Sequence, residues 1–193
     1  MTATVDSDAL AGGFSDPSIQ SAHAFRAILT ALAEPGKISR LNGARPPAPL
    51  SVAAGVALLT LADPSTPLHL AGVCDTADVQ AWVAFHIGAP LVAAGEAQFA
   101  VGSWPDLQPV SRFQIGRPDY PDRSATLIVE LDRLTNHGPA LTGPGIELAT
   151  WLSLPETAAF HANRALFPLG YDCLFTCGDR IAGLPRSTRV EKI

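Results

Sequence analysis

Apolar residues recur at helical spacing near the start of the chain. Ile19, Ala22, Phe25, Ile28, Leu29 and Leu32 follow Asp16-Pro17, which supplies an N-cap and a proline at the first helical position. The pattern ends at Glu34-Pro35-Gly36, because proline disfavours a helical residue before it and glycine permits the chain to reverse. It predicts a helix with those six residues on its apolar side and Arg26 on the less apolar side. Residues 42–49 read as a proline-rich loop, and residues 50–61 are apolar throughout, as in a buried helix closed by Asp63-Pro64. Residues 67–71 make a short strand. Residues 76–86 are amphipathic, with Val79, Trp82 and Val83 inward and a stop at Gly88 and Pro90.

Further on, residues 98–101 read as a strand and residues 105–112 as a short helix capped by Ser103. Turn formers dominate residues 115–122. Residues 125–131, ATLIVEL, are rich in β-branched side chains and predict a central strand. A glycine-punctuated turn at 141–146 and a last helix at 155–166 precede a hairpin that turns at Gly178-Asp179. Helices and strands alternate, so the expected fold is α/β, a mixed sheet with flanking helices. Residues 1–12 are expected to be a disordered leader, and residues 13–193 one domain, long enough to bury its own core.

Composition adds one structural expectation and removes several functions. Hydrophobic residues make up 47% and charged residues only 16%, a lean surface that points to apolar area covered by another subunit. A net charge of −5 argues against non-specific nucleic-acid binding. No basic amphipathic stretch suits a membrane surface, and the longest apolar run, residues 52–62, is too short to span a bilayer. The first ten residues lack the basic and apolar regions of a signal peptide. Cys74, Cys173 and Cys177 are an odd set, and the last two share a face of one predicted strand, so reduced thiols in the cytoplasm are expected. Eleven of the thirteen basic residues are arginine, which suits gripping carboxylate or phosphate and equally suits a GC-rich genome.

Familiar catalytic signatures are missing. His23, His69, His86, His137 and His161 are scattered, with no metal-ligand spacing, and each reads as a surface or capping residue. There is no nucleophile elbow, Walker loop or dinucleotide fingerprint. Pyridoxal phosphate chemistry needs a buried lysine, and Lys37 and Lys192 are not placed as one, so no cofactor is expected. Two stretches remain. In Thr142-Gly143-Pro144-Gly145-Ile146, the glycines Gly143 and Gly145 could let backbone N–H groups converge on an anion, or form a plain turn. In Pro185-Arg186-Ser187-Thr188-Arg189, Arg186, Thr188 and Arg189 could grip phosphate oxygens. The same residues could instead guard a strand edge, or pair with acids such as Glu130 or Asp172.

The C-terminal run of residues 167–191, FPLGYDCLFTCGDRIAGLPRSTRVE, resembles the end of the PhnH family of the bacterial carbon–phosphorus lyase system. Gly13-Phe14-Ser15-Asp16-Pro17, Ala24-Phe25-Arg26 and Glu34-Pro35-Gly36 resemble its beginning. Leu58-Leu59-Thr60-Leu61-Ala62-Asp63, Phe85-His86, Ala89-Pro90-Leu91, Ala125-Thr126-Leu127-Ile128 and Leu141-Thr142-Gly143-Pro144-Gly145-Ile146 follow in the family's order. Leu32, Ile87 and Ser187 depart from its common residues, and Ile87 weakens any polar site beside His86. The resemblance implies a fold similar to the large domain of pyridoxal phosphate-dependent transferases, without the cofactor. It implies a homodimer when alone, and association with PhnG, PhnI and PhnJ in a core complex. There, ATP and a phosphonate give ribose 1-phosphonate 5-triphosphate, and PhnJ later breaks the carbon–phosphorus bond. An accessory, non-catalytic subunit is the leading expectation. The alternative is a nucleotide- or phosphonate-binding subunit using Arg26, Gly143, Gly145, Arg186 and Arg189.

Overall fold

The computed structural model describes residues 11–191. Local sequence signals set the helix starts. Helix α1, Pro17–Ala33, begins where Asp16 accepts from the Ile19 N–H at 3.3 Å, and its last turn closes as the Glu34 N–H donates to the Thr30 carbonyl. After a two-residue strand β1, Ser39–Arg40, Ser51 caps α2, Val52–Leu61, by accepting from the Ala54 N–H at 3.1 Å. Residues 53–58 of α2 are all buried, as an all-apolar helix requires. Strand β2, Leu68–Leu70, leads to α3, Ala77–His86, which Thr76 caps at the Val79 N–H.

Strands β3, Phe99–Ser103, β4, Ile115–Arg117, β5, Tyr120–Ser124, and β6, Thr126–Glu130, come next. Then follow β7, Ala140–Thr142, β8, Thr150–Trp151, α4, Ala158–Ala165, β9, Asp172–Cys177, β10, Arg180–Leu184, and β11, Arg189–Val190. The main sheet has six strands in the order β1-β10-β9-β6-β3-β2. Strands β2, β3, β6 and β9 run parallel, and β10 and β1 add antiparallel on one side. The mixed sheet expected from the alternation is therefore present.

Side-chain alternation splits the interior into two layers. Val101, Ile128, Leu174 and Ile181 pack with α1, α2 and α3, around a fully buried Trp82. Ala100, Leu127, Val129, Cys173, Phe175 and Ala182 point the other way, onto Leu107, Leu134, Leu152 and Phe160 of α4. Cys173 and Cys177 belong to this second layer, and all three cysteines are free. Helix α1 crosses β10 at backbone contact. A Cβ added at Gly183 would lie 2.6 Å from the Ala31 carbonyl oxygen, so only glycine lets the helix approach this closely.

Several expectations need correction. The predicted apolar side of α1 is its inner face only in part: Ile28 and Leu32 pack into the core, and the other four residues do not. Ala24, Ile28 and Ala31 are buried, whereas Ile19, Phe25 and Leu29 are half exposed or more. Ala31 permits the close approach to β10, and three of the larger apolar residues, Ile19, Phe25 and Leu29, are left outside. Residues 105–112 do not form a helix. Ser103 and Asp106 bond each other across a turn at 2.7 Å, and only a single tight turn at Val110–Arg112 follows, because Pro109 has no N–H to donate. The turn-rich residues 115–122 include both arms of the β4–β5 hairpin, and the start of the 141–146 turn belongs to β7. Of the expected leader, residues 1–10 lie outside the described residues. Next to them, the Gly12 carbonyl accepts from the Arg45 N–H at 2.7 Å, and Ala11 bonds His86 at 3.2 Å.

Candidate functional site

After β10 the chain turns at Pro185, whose carbonyl accepts from the Thr188 N–H at 2.9 Å, and then runs as β11 between β7 and α4. Arg189 pairs in register with Thr142 and Val190 with Leu141. From the helix side, His161 Nε2 donates to the Val190 carbonyl at 2.8 Å. The tail is thus fastened on both sides, and its side chains are set by that register.

The six residues expected to hold an anion do not converge on one point. Arg186 is directed inward. It meets Asp172 at two points, Nε–Oδ1 3.1 Å and Nη2–Oδ2 2.5 Å, and adds Nη1 to the Pro121 carbonyl at 2.8 Å and Nη2 to Ser124 Oγ. Its backbone N–H also donates to Asp172 Oδ1 at 2.8 Å, and its side chain is 12% exposed. Of the two acids considered as partners for the arginines, Asp172 is the one Arg186 meets. Gly145 turns toward α1, where a Cβ would sit 1.8 Å from the Ala33 carbonyl oxygen. Arg26 is exposed on α1, seven residues before Ala33 and hence about 10 Å away along the axis.

Three of the six are neighbours. At Gly143, with φ +131°, a Cβ would lie 3.3 Å from the Ser187 carbonyl oxygen and 3.6 Å from Thr188 Cα. Arg189 follows directly and is exposed, whereas Thr188 is buried with its Oγ1 lacking any hydrogen-bond partner among the described residues.

The fold adds Arg164, unsuspected from the sequence, and His161, expected only as a surface or capping residue. His161 and Arg164, one turn apart on α4, line an open cleft of about 510 Å³ with Arg189, Val190 and Glu191. Their spacing of three on a short helix ending before Pro168 was the available signal; the partner strand was not. Arg164 lies over the Phe167 ring, 4.8 Å from its centroid, and its Nε is buried without a partner. The one acid in the cleft among the described residues, Glu191, accepts from Thr142 Oγ1 at 2.9 Å through Oε1.

A different charge sits at the C-terminal end of β6. Glu130 accepts from the Ser51 N–H at 2.7 Å and from Thr176 Oγ1 at 2.9 Å, joining the start of α2 to β9. Burial pushes its carboxyl above the usual glutamate value, against the opposing pull of these hydrogen bonds. Burial, with Glu130 and Asp106 nearby, likewise pushes the Cys74 thiol up to about 12. Among the described residues no three His, Cys, Asp or Glu side chains gather in a way that could hold a metal ion.

Residues 12–191 match the family described as bacterial phosphonate metabolism protein (PhnH). The chain belongs to the PhnH family. The match takes in both the β9–β10 hairpin and the β11 tail, so the α4–β11 cleft lies inside the PhnH region. The chain is similar to the alpha-D-ribose 1-methylphosphonate 5-triphosphate synthase subunit PhnH of Rhizobium meliloti (strain 1021). The two are 36% identical over 198 residues, covering 98% of this chain and 99% of that protein. It is also 27% identical over 182 residues to HtxG of Stutzerimonas stutzeri, provisionally named a C-P lyase subunit protein, covering 87% and 84% of the two. No helix among the described residues of this PhnH-family chain is long and apolar enough to cross a membrane.

Proposed function

We propose that this chain is a subunit of a carbon–phosphorus lyase core assembly in phosphonate catabolism. It supports the formation of ribose 1-phosphonate 5-triphosphate from ATP and a phosphonate, as an accessory rather than an independently catalytic component. The observation that carries the accessory role is the outer stripe of α1, where Ile19, Phe25 and Leu29 are 57%, 50% and 54% exposed. Large apolar residues in a row on a helix mark a surface that another chain covers. Arg186, the most prominent arginine of the tail, is meanwhile committed to Asp172. The relatives whose names make them subunits of a phosphonate-handling synthase or lyase support the same reading.

In this reading the protein is a cytoplasmic homodimer when alone and joins homologues of PhnG, PhnI and PhnJ. Its sheet is that of the large domain of pyridoxal phosphate-dependent transferases, used without the cofactor. Capture of the tagged chain from phosphate-starved cells tests membership. Recovery of the three homologues together is expected, and their absence would overturn it.

A second reading, favoured by the adjacency of Gly143, Thr188 and exposed Arg189, gives the subunit a nucleotide- or phosphonate-binding role. Arg26, Gly145 and Arg186 then support that site from a distance rather than touching the ligand. Heat on titration with ATP, methylphosphonate or ribose phosphates would favour it, and the lack of any would remove it.

A further inference from the structure

The cleft between α4 and β11 combines features that the subunit role does not use. Two guanidinium groups reach it from different elements, Arg164 from the helix and Arg189 from the strand. Neither makes an ion pair or a side-chain hydrogen bond with any described residue, in contrast to Arg186. Arg164 has a further peculiarity. Its Nε is buried without an acceptor, a condition that costs free energy unless something supplies one. The Phe167 ring lies beneath its guanidinium, a favourable cation–π position. His161 donates Nε2–H to the Val190 carbonyl, which holds the ring beside β11. Glu191 is the single opposing charge among the described residues of the cleft, and its Oε1 is already engaged by Thr142.

We propose that this cleft binds the phosphoryl or phosphonyl group of a small molecule, held between Arg164 and Arg189 with His161 beside them. A planar carboxylate is satisfied by one arginine fork. Two forks arriving from separate elements match a tetrahedral group with three oxygens better. The volume of about 510 Å³ exceeds what a bare anion fills and falls within the range of small-ligand sites, so the ligand extends beyond its anionic end. The proposal deepens the binding role given above as the second reading. It is independent of assembly: a chain that fails to recruit partners could still bind the anion, and the reverse.

Calorimetric titration of the full-length protein with methylphosphonate and inorganic pyrophosphate tests it, with succinate as the carboxylate control. Both phosphorus probes are expected to bind, and each affinity is expected to fall by about tenfold or more in Arg189→Ala and in Arg164→Lys, which keeps charge but loses the fork. Should Arg164→Lys fail to fold, Arg189→Ala decides, since Arg189 is exposed. Absence of heat with both probes overturns the site, as does unchanged affinity in either folded variant. Equal binding of succinate overturns the phosphoryl assignment and gives the cleft to a carboxylate. Capture of partner subunits by the same variants reports separately on the subunit role.

Discussion

Arg186 and Asp172 face each other as a two-point ion pair, with a third contact from the Arg186 backbone N–H to Oδ1 at 2.8 Å. The side chains are 12% and 27% exposed. The pair joins the loop after β10 to the first residue of β9, and through Pro121 and Ser124 to the β4–β5 hairpin. Removing one member of such a pair strands the other charge. Arg186→Ala is therefore expected to cost about 3 kcal/mol in urea unfolding. Arg189→Ala, at an exposed position, should stay within about 0.5 kcal/mol. Equal losses would mean that Arg186 does not anchor the tail.

Glycines 145 and 178 both have positive φ, +79° and +60°, yet their surroundings differ. An added Cβ at Gly145 would collide with the Ala33 carbonyl, whereas at Gly178 it meets nothing within 4 Å. Gly178→Ala should show only backbone strain, about 1 kcal/mol. Gly145→Ala must move the end of α1 and is expected to lose about 4 kcal/mol or more. Comparable melting temperatures for the two variants would contradict the packing described.

Glu130 gives stability a pH dependence with a defined sign. Burial raises its folded pKa above the ordinary 4.5, so the folded state holds this proton more tightly than the unfolded state. As pH rises from 4.5 toward the raised value, the folded protein must release it, and stability falls. Glu130→Gln removes that titration. The stability of the natural protein relative to Glu130→Gln should drop between mildly acidic and neutral pH. Parallel stability curves would refute the shift.

The outer stripe of α1 separates folding from association. Phe25→Ser and Leu29→Ser alter half-exposed positions outside the buried face of Ala24, Ile28 and Ala31, so unfolding free energy should change by no more than about 0.5 kcal/mol. Co-purification of partner subunits, or self-association, should be lost in the double variant. Retention of both would leave the stripe without a role.

Elements defined by their own residues were legible before any fold was known. Asp16-Pro17, Ser51 and Thr76 place helix starts because a cap acts within one turn. ATLIVEL lies inside the sheet because both of its faces are apolar. The short strands β1, β8 and β11 were not legible, since two residues carry no period and exist only through their partners. For the same reason Arg164 went unread as a companion of Arg189. The two are 25 residues apart and meet only because β11 runs beside α4.

By itself the sequence determined the α/β alternation, the helix caps, the central strand and the family, all of which are written in local pattern and motif order. Only tertiary structure decided which side of α1 faces solvent, because that depends on how closely Ala31 approaches Gly183. It also decided the fate of the two tail arginines. Arg186 turns inward onto Asp172 from the loop after β10, and Arg189 lines the cleft from β11, a difference set by the Pro185 turn and the pairing of β11 with β7 rather than by residue type.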